Sequence, residues 1–447
     1  MKVLRIIGRL NIGGPAIHTI LLSRHMEKLG YQTLLVAGQV GAEEGDMSYL
    51  AEAEGVKSVI LPKLGSRLQP FDDLRTFVRI LRLMFDLRLH IVHTHTAKAG
   101  ALGRLAALIY NKAQGLRHRA QGLTKRVIPE EEAQERDGSI IKSKCKVVHT
   151  FHGHVLHGYF STFKSRSFQL IEKILARFTD VIIVVSEQQK DELCYTFGVG
   201  RPEQYRVIPL GFDLGQFTQV SKSRGKLRSD LGLSKNGNSL VGIVGRLTDI
   251  KNHRLFIESI SLLLSAERNT SASFLIVGDG ELRKDLEEMT KKLALADRVI
   301  FTGWIKDLKS FYADLDVLAL TSNNEGTPVA VIEAMAAEVP VIATDVGGVR
   351  ELISDRGFRP PARRGLRPGG IAELSEEEFK ICERGLLVKK GDVKGFAKGL
   401  KYLLEHPEEG REMGKRGREY ALEKHTMERL VSDMDSLYQA LLPRNDK

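Results

Sequence analysis

Residues 2–10, KVLRIIGRL, form a short apolar, β-branched run that stops at the glycines of NIGGP. Behind it, AIHTILLSRHMEKLG carries Ile17, Ile20, Leu21 and Met26 on or near one face of a 3.6-residue period, which predicts a helix. Pro15 suits its first position and Gly30 its stop. YQTLLVAG (31–38) supplies the next strand, and the alternation continues: a helix over 68–88, a strand over 90–95, a helix over 97–110, a strand over 145–153, a helix over 167–179 and a strand over 180–186. Alternating βαβ units of this kind predict a parallel sheet covered by helices on both faces. YRVIPLGFDLGQF (205–217) closes that series, a polar stretch (218–238) follows, and the pattern restarts. SLVGIVGRL (239–247), SFLIVGDGE (273–281), RVIFTGW (298–304), DVLALTS (316–322) and PVIATDVGG (340–348) predict a second set of strands with helices between them. The expected fold class is α/β, with two doubly wound parallel-sheet domains over 1–213 and 214–425 and a C-terminal helix in 426–447 that packs back toward the first domain. Residues 112–144 and 355–384 break the alternation and read as insertions.

Length agrees with that division, since 447 residues exceed what one ordinary core holds. The formal charge is +11, and its placement matters more than its sum. Five Lys or Arg and no acid lie between Lys112 and Arg126, and five arginines and no acid between Arg356 and Arg367. Such runs attract phosphates, anionic lipid headgroups or nucleic acid. Neither run carries interleaved aromatics for base stacking, which argues against a nucleic-acid partner; a solvated insertion and peripheral contact with an anionic membrane are the two readings left. Cys145, Cys194 and Cys382 are odd in number and widely spaced, as in a reducing compartment. No run approaches the length of a membrane span, and the N-terminus reads as the first strand of a cytoplasmic protein rather than a leader.

Ligands of open parallel sheets bind at the carboxyl ends of strands. Three stretches lie there. In NIGG, Gly13 and Gly14 let a backbone approach a ligand closely because no Cβ intervenes. In EGTPVAVIE, Glu325 falls in the loop after a strand; Pro328 suits the first helical turn and Glu333 the second. Side chains on a helix lean toward its N-terminus, so both carboxylates are expected to border one pocket. Carboxylates accept from paired hydroxyls, as in a ribose or hexose, while the amides around Thr327 to Val329 suit a diphosphate. In VGRLTDIKN, Arg246 and Lys251 place two cations where a departing diphosphate would otherwise need a metal. Taken singly, each stretch is equally a structural turn, an ordinary helix start or a solvated loop; together they describe a clasp for a sugar nucleotide.

The histidines of HTH (His93, His95) and HTFHGHVLH (His149, His152, His154, His157) invite a zinc reading. His149 and His152 fall on opposite strand faces with no cysteine at ligand spacing, so a hydrogen-bonding rim around an acceptor is the expectation, with no metal. The pair Asp314 and Asp316 in ADLD reads as the end of a helix and the start of a strand.

The ordered set GGPAIH (13–18), TFHGH (150–154), GRLTDIK (245–251), VGDGE (277–281), FTGW (301–304) and EGTPVAVIEAMA (325–336) resembles the retaining GT-B glycosyltransferases of family 4, also called group 1. The two glutamates match that family's E-x7-E signature, and the likeness spans nearly all the chain outside 112–144 and 355–384. It implies two Rossmann-like domains facing a central cleft, with the donor held mainly by the second. By that resemblance Glu333 binds ribose hydroxyls, Glu325 sugar hydroxyls, and backbone at Trp304 or Ile305 the base. Arg246 and Lys251, with backbone at Gly14, bind the diphosphate; Gly13, Gly245, Thr327, Pro328 and Val329 complete the donor set, and His152 lies beside the sugar. The implied reaction is metal-independent, cofactor-free retaining transfer of a hexose or N-acetylhexosamine from a nucleotide diphosphate, UDP above all, to a glycan or polyprenyl-diphosphate-linked sugar in surface polysaccharide assembly. A sugar-nucleotide epimerase or phosphorylase of the same fold is the nearest alternative, and a non-catalytic nucleotide-sugar scaffold the next. Nucleotide release that depends on a second sugar separates the transferase from them.

Overall fold

The computed structural model describes residues 1–41, 45–65, 69–125, 144–153, 162–233, 238–267, 270–355 and 379–442. It divides into two compact units: unit 1 comprises Met1–Val185, Glu192–Ile208 and Leu430–Lys447, and unit 2 comprises Ser186–Asp191 and Pro209–Arg429.

Unit 1 is built on β1 (Lys2–Arg9), α1 (Gly14–Lys28), β2 (Gln32–Gly38), α2 (Ser48–Ala53), β3 (Ser58–Ile60), α3 (Pro70–Leu87), β4 (Ile91–His95), α4 (Ala97–Lys125), β5 (Lys146–Phe151), α5 (Thr162–Ala176) and β6 (Val181–Val184). After the short α6 (Glu187–Asp191), which belongs to unit 2, β7 (Tyr205–Val207) closes a seven-stranded parallel sheet of order β3-β2-β1-β4-β5-β6-β7. The order reverses between β1 and β4, whose registers pair Val3 with Ile91 and Ile6 with Thr94. Strands buried on both faces explain the unbroken apolar runs: Leu4, Ile6, Val36 and Val92 pack toward α3 and α4, while Ile7, Leu35 and Ala37 pack toward α1 and α2.

Unit 2 repeats the plan. Following α7 (Lys226–Asp230) come β8 (Ser239–Val244), α8 (His253–Ala266), β9 (Ala272–Val277), α9 (Arg283–Lys292), β10 (Val299–Gly303), α10 (Leu308–Asp314), β11 (Val317–Leu320), α11 (Val329–Ala336), β12 (Val341–Thr344), α12 (Val349–Ile353), β13 (Lys380–Cys382) and β14 (Gly385–Val388). Helices α13 (Val393–Glu405), α14 (Pro407–Lys424) and α15 (Met427–Leu441) end the chain. The sheet order is β10-β9-β8-β11-β12-β14-β13, with its reversal between β8 and β11.

Three expectations are corrected. The second sheet is mixed, because β13 pairs antiparallel with β14 at the edge; its residues Lys380–Cys382 lie inside the stretch read as an insertion, where three residues are too few to show a period. Residues 112–125 are not loop but the continuation of α4, whose proline-free sequence lets the helix run on past Tyr110. Pro328 is the N-cap of α11 (φ −73°, ψ 115°), one position before the first helical turn, its extended ψ excluding it from the helix. The arginines of 356–367 lie outside the described residues, as do His154 and His157. The three cysteines are buried and form no disulfide. Among the described residues no helix is long and apolar enough to cross a membrane.

Candidate functional site

Because β8, β9, β10, β11 and β12 run parallel, the loops that follow them all emerge at one edge of the unit 2 sheet. The loops after β8 and β11 flank the point where strand order reverses, the usual ligand position in open α/β sheets. They are bonded to each other: the Asn323 amide donates to the Ile250 carbonyl at 2.7 Å, Thr321 Oγ1 to the Lys251 carbonyl at 3.1 Å, and Asn323 Nδ2 to the Asp249 carbonyl at 3.0 Å.

This bracing fixes an ion pair absent from the sequence reading. Lys251 Nζ donates to Glu325 Oε1 at 2.6 Å, and Ser322 Oγ donates to the same oxygen at 2.5 Å. The Glu325 side chain is 10% exposed and that of Lys251 28%, so the pair is shielded yet reachable. The two residues had been expected to serve separate ligand groups. Arg246 is half-buried, and among the described residues its guanidinium has no ion-pair partner. One bound and one unpaired cation therefore line the loop after β8.

Glu333 is the other anomaly. It is half-buried in the second turn of α11, where Tyr312 donates its hydroxyl to Oε2 at 2.9 Å. Burial raises the carboxyl from 4.5 to about 7, against the opposing effect of the Tyr312 hydrogen bond. Perturbation of that size in an accessible acid is a mark of functional positions. Tyr312, itself buried on α10, escaped the sequence reading because its role depends on packing of α10 against a residue 21 positions away.

Backbone contacts hold these loops at distances that only glycine permits. Gly347 has φ +50°, and a Cβ there would lie 1.8 Å from the Glu325 carbonyl oxygen; one on Gly348 would lie 2.2 Å from that of Gly326. Gly278 has φ +134°, and a Cβ would lie 1.9 Å from the Gly245 carbonyl oxygen. Gly347→Ala is therefore expected to displace the Glu325 loop, lowering stability by about 2 kcal/mol or more and weakening any ligand of Glu325. Thermal melting with a ligand titration checks both.

The remaining unit 2 positions fall on the same edge. The Thr327 and Val329 amides have no hydrogen-bond acceptor among the described residues, while Pro328 has no N–H to offer. Trp304 is 42% exposed just past β10, and its amide and that of Ile305 are likewise without acceptors there. Asp314 and Asp316 serve structure, as expected from their positions: Asp314 accepts from the Gly225 and Arg228 amides, and Asp316 from Arg228 Nη2 at 2.8 Å and the Leu240 amide at 2.7 Å.

In unit 1 the carboxyl ends of β4 and β5 carry the histidines. His152, just past β5, has its Nε2 2.9 Å from His95 Nδ1, with the rings stacked at 5.1 Å. His93 joins Thr150 and Tyr438 at 2.7 Å each, and His149 joins Thr94 at 2.8 Å. Gly13 caps α1 at φ +157° and Gly14 opens it. Among the described residues no three His, Cys, Asp or Glu side chains are grouped to hold a metal.

Burial lowers these imidazoles, His152 to about 4 and His93, His95 and His149 well below the ordinary value. They are neutral at pH 7. A histidine depressed in the folded state contributes stability that is complete above the unfolded value near 6.5 and is lost as pH falls toward the folded one. The melting temperature is thus expected to drop steadily between pH 6.5 and about 4, and replacing buried His149 by Gln is expected to flatten part of that slope. Differential scanning fluorimetry across pH checks this.

The family model described as Glycosyl transferase 4-like domain matches residues 13–211, and the one described as Glycosyl transferases group 1 matches residues 238–406. The chain belongs to the group 1 glycosyltransferases. It is 28% identical over 307 residues to the Escherichia coli UDP-Gal:alpha-D-GlcNAc-diphosphoundecaprenol alpha-1,3-galactosyltransferase, covering 68% of this chain and 70% of that one. It is 24% identical over 378 residues to the capsular polysaccharide biosynthesis glycosyltransferase CapM of Staphylococcus aureus, covering 84% and 83%. Among solved structures, Anabaena HepE in complex with UDP superimposes with a TM-score of 0.73 at 19% identity, covering 98% of this chain and 100% of that one. The sucrose-phosphate synthase of Thermosynechococcus elongatus does so with 0.70 at 20% identity, covering 99% of each. The fold of this group 1 glycosyltransferase is GT-B.

Proposed function

We propose that this glycosyltransferase moves a hexose or N-acetylhexosamine from a nucleotide diphosphate, of the UDP class, to a sugar carried on a glycan or polyprenyl diphosphate, with retention at the anomeric carbon and without a metal. The observation that carries the donor assignment is the grouping of Arg246, Lys251, Glu325 and the free amides at the start of α11 on one edge of the unit 2 sheet, beside its strand-order reversal. Arg246 and Lys251 supply positive charge to the diphosphate, as a metal would. The Thr327 and Val329 amides add partial positive charge from the helix start. Glu333 accepts from ribose hydroxyls, Glu325 from sugar hydroxyls, and the Trp304 and Ile305 backbone meets the base. Unit 1 is assigned to the acceptor, with neutral His152 as a hydrogen-bonding group.

In the reaction the bond from the anomeric carbon to the diphosphate oxygen breaks, the acceptor oxygen bonds to that carbon on the same face, and the acceptor proton passes to the departing phosphate. Charge then grows on the diphosphate, where two fixed cations stabilise the transition state more than the ground state. The acceptor class rests on the names of the relatives, the E. coli enzyme acting on a diphosphoundecaprenol-linked sugar. The test is nucleoside diphosphate release with and without a sugar-bearing acceptor, in the presence of EDTA, with the product anomer read by NMR. Acceptor-dependent, EDTA-insensitive release with retention is expected. Release without acceptor, or an epimerised donor, contradicts transfer.

A further inference from the structure

Strands β3, β4, β5 and β6 step in one direction across the unit 1 sheet, and right-handed crossovers put α3, α4 and α5 on one face. The three helices pack side by side: Phe85 of α3 meets Tyr110 of α4 at 5.0 Å between rings, and buried Arg104 of α4 pairs with Glu172 of α5 at 2.8 Å. A layer so placed should present polar side chains outward. Instead Phe71 and Leu74 on α3 are 86% and 61% exposed, Leu105 and Ile109 on α4 40% and 44%, and Leu170 and Ile174 on α5 61% and 45%. On α4 the outward positions 105, 109, 112 and 116 form one helical stripe, Leu, Ile, Lys, Leu.

The charges between these side chains are nearly all positive. Exposed Arg75, Arg79, Lys112, Arg166 and Arg177 stand among them. Helix α4 contains no Asp or Glu. The only acid of α5, Glu172, is buried against Arg104. On α3, Asp72 is taken up by Lys63 at 3.4 Å and by Arg75 at 3.6 Å, and Asp73 by Lys98 at 2.6 Å, leaving Asp86 as the exposed exception.

We propose that this face is a docking surface for an anionic lipid bilayer, with the leucine, isoleucine and phenylalanine side chains entering the interface and the arginines and lysine meeting the headgroups. Large aliphatic and aromatic side chains spread over three helices and interleaved with long cationic ones match such an interface, because each cation covers apolar surface with its stem and reaches phosphate with its head. A second copy of the chain fits less well, since two-fold docking would bring two cationic faces together with Asp86 as the one exposed acid among the described residues of these helices. The face, not the transfer reaction, carries the proposal, and it differs from the sequence expectation in placing apolar side chains beside the charge.

The full chain is sedimented with phosphatidylcholine vesicles with and without phosphatidylglycerol, at low and high salt. Binding to the anionic vesicles, weakened by salt, is expected. Ile109→Glu with Ile174→Glu is expected to reduce it at least about tenfold, and Arg166→Glu with Arg177→Glu to remove the preference for phosphatidylglycerol. All four positions are exposed, so unchanged melting curves confirm that the variants fold. Failure of the wild type to bind anionic vesicles at low salt, or variants that bind as it does, overturns the proposal. So does a dimer in sedimentation velocity that the isoleucine variants dissociate, which would make the face a protein interface.

Discussion

Glu333→Gln is expected to weaken nucleotide-sugar binding about 100-fold at pH 8 while making the free protein more heat-stable. The two effects share one cause. The Glu333 carboxyl is raised to about 7 by burial, so in the free protein its charge is destabilising: the stability it leaves intact is complete below the unfolded value of 4.5 and is lost as pH rises through about 7. The isosteric amide avoids that loss, and a rise of a few degrees in melting temperature is expected at pH 8 and none at pH 4. The ligand reverses the balance. Two ribose hydroxyls donating to the carboxylate favour its charged form, and charge-assisted hydrogen bonds contribute about 1.5–3 kcal/mol each, which sets the 100-fold expectation. Because binding requires the ionised acid, the dissociation constant is expected to rise about tenfold per pH unit below pH 7 in the wild type and to stay level in Glu333→Gln. Calorimetric titration from pH 5.5 to 8.5 checks the slope; a wild-type affinity independent of pH would remove Glu333 from the donor site.

Arg246→Ala is expected to lower kcat about 10²–10³-fold with a much smaller change in KM, the signature of an interaction that strengthens as charge develops on the leaving diphosphate. Its guanidinium has no ion-pair partner among the described residues, so its removal strands no buried acid. Lys251→Ala differs. It leaves Glu325, 10% exposed and bonded to Lys251 at 2.6 Å, with only the Ser322 hydroxyl, and a loss of stability should accompany the loss of rate. The double variant Lys251→Ala with Glu325→Ala should then lose less rate than the sum of the single losses, because one pair is broken once. Steady-state kinetics with melting curves for all four proteins checks this. Equal, additive losses would mean that Lys251 and Glu325 act apart.

Much of the fold is legible because strands buried on both faces read as unbroken apolar runs and helices as a 3.6-residue period: VLRII, LIV and VIAT each became a strand. The loops at the donor edge are legible for a different reason, since glycines and charged residues recur directly after several such runs, where any one of them alone is equally a structural turn. What escaped depends on partners distant in sequence. Nothing in EGTPVAVIE shows that Glu325 meets Lys251 74 positions away or that Tyr312 supports Glu333. Gly347 and Gly348 read only as the end of the strand PVIATDVGG, because the carbonyls they must clear belong to another loop. The length of α4 and the apolar outer face of α3 to α5 were missed because a basic stretch was taken for loop, whereas charge says little about backbone conformation and burial decides which side of a helix faces out.

Amide hydrogen exchange over the whole chain, with and without saturating uridine diphosphate, tests the placement of the donor most directly. Slowed exchange is expected in peptides spanning residues 245–252, 304–305 and 326–329, the loops that carry Arg246, Lys251, the Trp304 backbone and the start of α11. Protection confined to other segments, with these loops exchanging as in the free protein, would contradict a nucleotide-sugar site on this edge of unit 2.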